Sequence, residues 1–420
     1  MSTMSIYLTL AILSFLSTLC ALIKARKLSH AVPLYFFTAW LTGELALIHI
    51  GWQMLLTLGM VLVGGLDSES GRWGLGLFVL SWLGLLFVQV QAMDTGVVLD
   101  RSLRAALGDN YRGDIPLTRQ SVIEQGVSAN EWLRPFRMRR PGVRVHRDIA
   151  YGEHGKRNML DVYQPEAPRE GGFPVLLQIH GGGWTIGAKH QQGLPLMNYL
   201  AARGWLCVAC NYRLSPSATL PDHIIDVKRC IAWIREHAAE YGGNPEFLAV
   251  TGGSAGGHLA ALAALTPNHQ DWQPGFEAVD TGISAGVPFY GVYDFLDRDG
   301  IRVGMSMEDF LAKYVMKCTP KESPELWDSV SPLSHVSRDA PPLFVVQGTH
   351  DSLVWVEEAR SFVNRLRSVS DQVVAYGELP GAQHAFEVFH SVRTDHTVIA
   401  VAAFLEWCHA RHLKDAATGG

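Results

Sequence analysis

Phe247-Leu-Ala-Val-Thr-Gly-Gly-Ser-Ala-Gly-Gly-His-Leu-Ala-Ala-Leu-Ala-Ala-Leu265 is the stretch on which the reading turns. It begins as a short apolar run of strand length, 247–251, and breaks at two glycines. It resumes as small residues of helical composition, 255–265. The break holds a G-x-S-x-G, Gly252 to Gly256. A serine at a sharp strand-to-helix turn has its hydroxyl lifted above the sheet. Gly252 and Gly256 lack the side chains that would collide where strand and helix pass closely. Ser254 is therefore the candidate nucleophile.

The same alternation extends on both sides. Apolar strand-like runs at 145–151, 159–163, 173–179, 205–210, 283–290, 343–347 and 373–376 are interleaved with helical patterns up to 203 and at 221–241, 354–368 and 396–413. This predicts an α/β fold with a mostly parallel sheet covered by helices on both faces, over residues 145–415. Residues 296–340 break the rhythm and read as an insertion over one edge. Met305, Met307, Phe310, Leu311, Tyr314 and Val315 within it fit either an apolar acyl pocket or lid, or ordinary helix packing.

A hydroxyl needs a base and an anion-stabilising cradle to act as a nucleophile. His180-Gly-Gly-Gly-Trp184 follows its own strand upstream. Glycines there let backbone N–H groups approach a substrate oxygen, so Gly181, Gly182, Gly183 and the residue after the serine, Ala255, are the candidate oxyanion donors. No Lys-Ser/Thr follows these glycines and no G-x-G-x-x-G is present, which argues against a phosphate cradle. Asp351 lies just past a strand in Gln347-Gly-Thr-His-Asp351. His384 lies in the loop after the next strand, in Gly381-Ala-Gln-His-Ala-Phe386. The order Ser254, Asp351, His384 is that of α/β-hydrolases and differs from the two serine-protease orders. His350 reads as a loop residue. His390, His396, His409 and His412 lack an H-E-x-x-H pattern and read as surface residues. Neither a metal site nor a cofactor is expected.

Residues 1–93 are different in kind. They hold four Lys/Arg and three Asp/Glu, against 35 and 40 in the whole 420-residue chain. Apolar runs at 4–23, 33–66 and 73–92 predict about three bilayer-spanning helices. The second run is either one tilted span or two short helices. Glu44 within it should meet a protein partner or lie near a membrane surface. With three spans, the basic loop Lys24-Ala-Arg-Lys27 and the arginines after the third span place the body in the cytoplasm. With four, the body lies outside. Residues 94–144 read as a juxtamembrane connector. Ten arginines fall between Arg101 and Arg147, and Trp132-Leu-Arg-Pro-Phe-Arg-Met-Arg-Arg140 suits either an anionic membrane surface or a solvated linker. The net charge of −5 gives no reason to expect nucleic acid. Cys207 and Cys210, at i and i+3 of a strand, point to opposite faces and form neither a metal nor a redox pair.

The body resembles the hormone-sensitive-lipase-like and BD-FAE-like esterases of the α/β-hydrolase superfamily. The resemblance rests on His180-Gly-Gly-Gly-Trp184, Asn211-Tyr-Arg-Leu-Ser-Pro216, Gly252-Gly-Ser-Ala-Gly-Gly257, Asp351 and Gly381-Ala-Gln-His384, and covers about residues 145–412. The chain also looks like membrane-anchored actinobacterial lipases and prenylcysteine methylesterases. Many relatives carry Asp-Tyr-Arg-Leu-Ala-Pro-Glu where this chain has Asn211 to Ser217, and Asp-Pro-Leu-x-Asp where it has Gly348-Thr-His-Asp351. The resemblance implies ester hydrolysis through an acyl-enzyme without a cofactor. Ser254, His384 and Asp351 would be nucleophile, base and acid, and Gly181, Gly182 and Ala255 the oxyanion hole. It gives Asp226 and Asp294 structural places. A lipid or other small-molecule ester as substrate, with membrane lipids as partners, is the expectation. An amide, formamide or acetyl-sugar hydrolase with the same triad, or an inert binding module, are the rivals.

Overall fold

The computed structural model describes residues 3–25, 31–124, 128–302 and 307–418. Arg26, Lys27 and Met305 lie outside them. Eight strands form one sheet in the order β1-β2-β4-β3-β5-β6-β7-β8. These are β1 (Val143–Ala150), β2 (Met159–Pro165), β3 (Phe173–Ile179), β4 (Leu206–Cys210), β5 (Gly243–Gly253), β6 (Ala285–Phe289), β7 (Leu343–Gly348) and β8 (Val374–Leu379). The first two strands pair antiparallel, and β2 runs antiparallel to β4. From β4 to β8 every pairing is parallel.

A parallel sheet buried on both faces needs apolar residues at every position, and β3, β4, β6 and β7 are buried throughout. Their side chains divide by parity. Val175, Leu177, Leu206, Val208 and Leu248 enter the core on one face. Leu176, Cys207, Ala209 and Ala249 enter the core on the other. Cys210 joins the first core and Cys207 the second, and all six cysteines are free.

The segment 296–340 does not hang over an edge. It joins β6 to β7, two inner strands, and its short helical turns bury Leu311, Val315, Met316 and Trp327 in the first core. The helix expected up to 203 is limited to Leu194–Ala201, because 184–193 form an irregular loop after the glycines.

The apolar head contributes α1 (Thr3–Leu22), α2 (Val32–Glu44), α3 (Ala46–Leu62) and α4 (Glu69–Leu107). The second apolar run is thus two helices, meeting at an 84° bend. The third is one helix of 39 residues, opened by Ser68, whose Oγ accepts the Gly71 N–H at 3.0 Å, and closed at Gly108 with φ 99°. At 1.5 Å per residue it is about 58 Å long, twice a bilayer core. Its second half packs on the body. Leu99 and Leu103 are fully buried in the second core, and Leu99 lies where a side chain at Gly377 of β8 would stand. The first part of the connector is thus helix, running to Leu107.

The four late histidines are corrected too. The last helix, Val392–Thr418, lies between the sheet and the head. His390 and His409 are buried, and His396 and His412 half-buried. His409 packs on Phe247 with ring centroids 5.0 Å apart, and His396 sits against Gly96 of α4.

Candidate active site

Ser254 adopts φ 58° and ψ −121°, and the helix Ala255–Leu265 starts at the next residue. This is a strained position for a non-glycine residue, so the surroundings must hold it. The Ser254 N–H donates to Phe289 O at 3.0 Å. A Cβ at Gly252 would stand 2.5 Å from Gly256 O, and one at Gly256 would collide with Ile179 O. Both glycines are required by contact.

Asp351 and His384 come together at the ends of β7 and β8. The His384 Nδ1–H donates to Asp351 Oδ2 at 2.7 Å, with both side chains buried. The carboxylate is fixed on every side. Its Oδ2 also accepts from Gln347 Nε2 at 3.0 Å, and its Oδ1 accepts the N–H of Leu353 at 2.9 Å and of Val354 at 2.8 Å. Gln383 Oε1 accepts the N–H of His384 at 2.9 Å and of Ser352 at 2.7 Å, joining the two loops.

The serine turn meets this pair through Tyr290. A Cβ at Gly253 would stand 2.6 Å from the Tyr290 hydroxyl, and the Tyr290 ring centroid is 4.4 Å from that of His384. The Tyr290 hydroxyl donates to Glu387 Oε2, and burial raises the pKa of both groups. Tyr290 and Glu387 were missed in the sequence because neither sits in a motif. Tyr290 has φ 36° just past β6, and only the fold brings it beside His384.

The glycine loop lies on the other side of Ser254. A Cβ at Gly181 would stand 3.2 Å from Ser254 Cβ. One expected donor is corrected here. The Gly181 N–H donates to Gln192 Oε1 at 2.6 Å, so it is spent on holding the loop. Among the described residues, no acceptor takes the N–H of Gly182 or Gly183, and Ala255 N–H is the first of a helix, where no intrahelical acceptor exists. Gly182 and Gly183 have φ 112° and 57°, which turns their amides away from the strand direction. Phe310 closes this side, with its Cζ 3.4 Å from a Cβ built at Gly183. Asp226 is bonded to Arg213 and Asp294 to Arg298, away from this cluster.

Glu131, His390 and Asp395 are the group of described residues whose donor atoms converge within 4.8 Å. His390 Nδ1 is already bonded to Asp395 at 2.7 Å, and Arg140 occupies Glu131. They read as an ion-paired cluster joining the connector to the last helix.

A family model described as BD-FAE matches residues 160–366. The probable carboxylic ester hydrolase LipM of Mycobacterium tuberculosis is 45% identical over 365 residues, covering 83% of this chain and 82% of its own. The esterase LipQ of the same organism is 44% identical, with 86% and 85% covered. The chain belongs to the BD-FAE-like esterases of the α/β-hydrolase superfamily. Among solved structures, this esterase is similar to Thermogutta terrifontis esterase 2 phosphoramylated by tabun. The two share 26% identity with a TM-score of 0.50, over 62% of this chain and 92% of that one. The α/β-hydrolase fold and the carboxylic-ester hydrolase class expected from the sequence both hold.

Proposed function

We propose that this esterase hydrolyses lipophilic carboxylic esters through an acyl-enzyme on Ser254, from a body fixed to a membrane. The observation that carries the reading is the buried 2.7 Å bond between His384 and Asp351 beside the strained Ser254 turn. With Nδ1–H held by the carboxylate, Nε2 of His384 is left as the base. It takes the Ser254 proton as Oγ attacks the ester carbonyl. The N–H groups of Gly182, Gly183 and Ala255 hold the oxyanion. His384 then gives its proton to the leaving alcohol, and water repeats the cycle on the acyl-enzyme. No cofactor enters any step.

Two helices, Ser5–Leu22 and Glu69–Leu107, are long and apolar enough to cross a bilayer, and the bent pair can supply a third span. Their directions support three crossings. Tyr7 meets Phe78 and Thr18 meets Ser81, so α1 and α4 run parallel. Met60, near the end of α3, lies against Gly65 just before α4 starts, while Trp52, earlier in α3, meets Phe78 further along α4, so α3 runs antiparallel to α4. The end of α1 and the body then share one side. The basic residues after α1 make that side cytoplasmic. Arg134, Arg137 and Arg139, exposed beside Leu133 and Phe136, suit an anionic lipid surface there.

The test is labelling by a fluorophosphonate probe, with hydrolysis of p-nitrophenyl esters measured beside amides and acetyl-xylan. Ser254→Ala should lose labelling and about 10⁶ in kcat. Folded wild-type protein that takes no label contradicts the reading. A preference for amides or acetyl-xylan moves the substrate class and leaves the triad.

A further inference from the structure

We propose that α2 is the wall of the ester site along which the acyl chain lies, that Phe36 sets chain-length preference, and that a buried ion pair at Glu44 clamps this wall to the loop of the base. The proposal rests on the Ser254 and His384 reading above.

Helix α2 belongs to the apolar head, yet its Phe36 reaches the active site. Phe36 is buried, and its ring meets the His384 imidazole edge-on with centroids 6.1 Å apart. It stacks on Trp40 at 5.6 Å with planes 5° apart, and Trp40 in turn meets Phe389 at 5.3 Å. Leu34, on the opposite face of α2, is 74% exposed, and Phe37, packed at the edge of Phe36 with ring centroids 4.9 Å apart, is 53% exposed. In the membrane reading that face looks into lipid. A single helix, about 10 Å thick, then separates hydrocarbon from the catalytic imidazole. An aliphatic acyl chain coming from the lipid side meets α2 before it meets the base.

Glu44 is the last residue of α2. A carboxylate at the centre of a span is costly to insert, and this one is satisfied entirely by the body. Its Oε1 accepts from Arg393 Nη1 at 3.0 Å and its Oε2 from Ser391 Oγ at 2.7 Å, with both charged side chains buried. The chain bends by 84° immediately afterwards. Arg393 Nε also donates to Pro380 O at 3.1 Å. Pro380 and Ser391 bracket the loop that holds His384. The clamp therefore ties the end of α2 to both ends of that loop. Glu44 and Arg393 are positioning residues, and Phe36 is the residue that would touch the acyl chain.

The experiment uses the full chain in phospholipid nanodiscs. The ratio of kcat/KM for p-nitrophenyl decanoate to that for p-nitrophenyl acetate is measured, in variants first shown to be folded by fluorophosphonate labelling. Phe36→Ala should lower the ratio about tenfold, with Phe36→Leu recovering part of it. An unchanged ratio in labelled Phe36→Ala overturns the proposal. If Phe36→Ala is not labelled, Phe36→Leu and Phe36→Met carry the test, and a ratio unmoved in both overturns it. Glu44→Gln should shift the ratio in the same direction. In the Phe36→Ala/Glu44→Gln double variant the two effects should fail to multiply, because the clamp acts through the wall. Independent, multiplying effects overturn the clamp. A Ser254→Ala protein that still hydrolyses both esters would instead remove the reading underneath.

Discussion

At the level of single residues, the candidate site is legible wherever a motif fixes the backbone. Ser254 could be found because only glycines fit at 252 and 256. His384 and Asp351, read as candidates because a base and its carboxylate need loops after successive strands, do lie together. Gly181 shows where a motif stops. The pattern treats three glycines alike, yet the first amide is taken by Gln192 Oε1, eleven residues later, in a loop whose course no periodicity predicts. Gln192→Ala should therefore lower kcat by loosening the cradle, by about tenfold. That is less than the roughly 10²–10³ expected from losing a direct oxyanion donor. Steady-state kinetics of Gln192→Ala decide this, since a loss of 10³ would make Gly181 part of the hole. Asp351 gives a second expectation. Asp351→Asn keeps the shape but lets the side-chain amide face His384, favouring the wrong tautomer. It should cost on the order of 10⁴ in kcat, with thermal stability changed much less. A kcat within tenfold of wild type would remove Asp351 from the mechanism.

At the level of elements, composition identified the apolar runs but not their ends. The 73–92 run is one bilayer length by hydropathy, while the helix that contains it continues to Leu107. Asp94, Thr95 and Gly96 follow without ending it. Its continuation is decided by tertiary burial of Leu99 and Leu103, which a local window does not see. The second run was legible as ambiguous. Glu44 is the reason, since its partners Ser391 and Arg393 lie some 350 residues away. If α4 is a shared element rather than a tether, its lower half should carry body stability. Leu99 is fully buried against β8, so Leu99→Ala should destabilise the body by about 2–5 kcal/mol. Denaturant unfolding in detergent, followed by loss of esterase activity, measures it. A change under 1 kcal/mol would mean that the helix merely rests on the sheet.

For the whole molecule, two sets of buried groups pull stability in opposite directions with pH. His180, His258 and His223 are held neutral by burial, with pKa values pushed down to about 4, about 4 and about 3. His258 is fixed as one neutral tautomer, accepting from Trp184 Nε1 at 3.2 Å and donating to Val330 O at 2.8 Å. Unfolded, each imidazole takes a proton below about 6.5. Their contribution is present above that value and is lost as pH falls toward 4, by up to ~1.4 kcal/mol per pH unit for each proton. Glu358 works the other way. Burial raises its carboxyl to about 7, although it accepts the N–H of Tyr293 at 2.8 Å. Its contribution is present below about 4.5 and is lost as pH rises through about 7. The two effects overlap between pH 4.5 and 6.5, so the wild-type profile alone does not separate them, but variants do. The stability difference between wild type and His258→Gln should shrink as pH drops from 7 to 4. The difference between wild type and Glu358→Gln should shift against wild type as pH rises from 4.5 to 8. Thermal unfolding of all three proteins across that range checks both signs. Parallel curves for His258→Gln would mean that this imidazole protonates in the folded protein as readily as in the unfolded chain. Its packing against Trp184 and Phe295 would then have to open on that timescale, loosening the floor beneath the glycine loop.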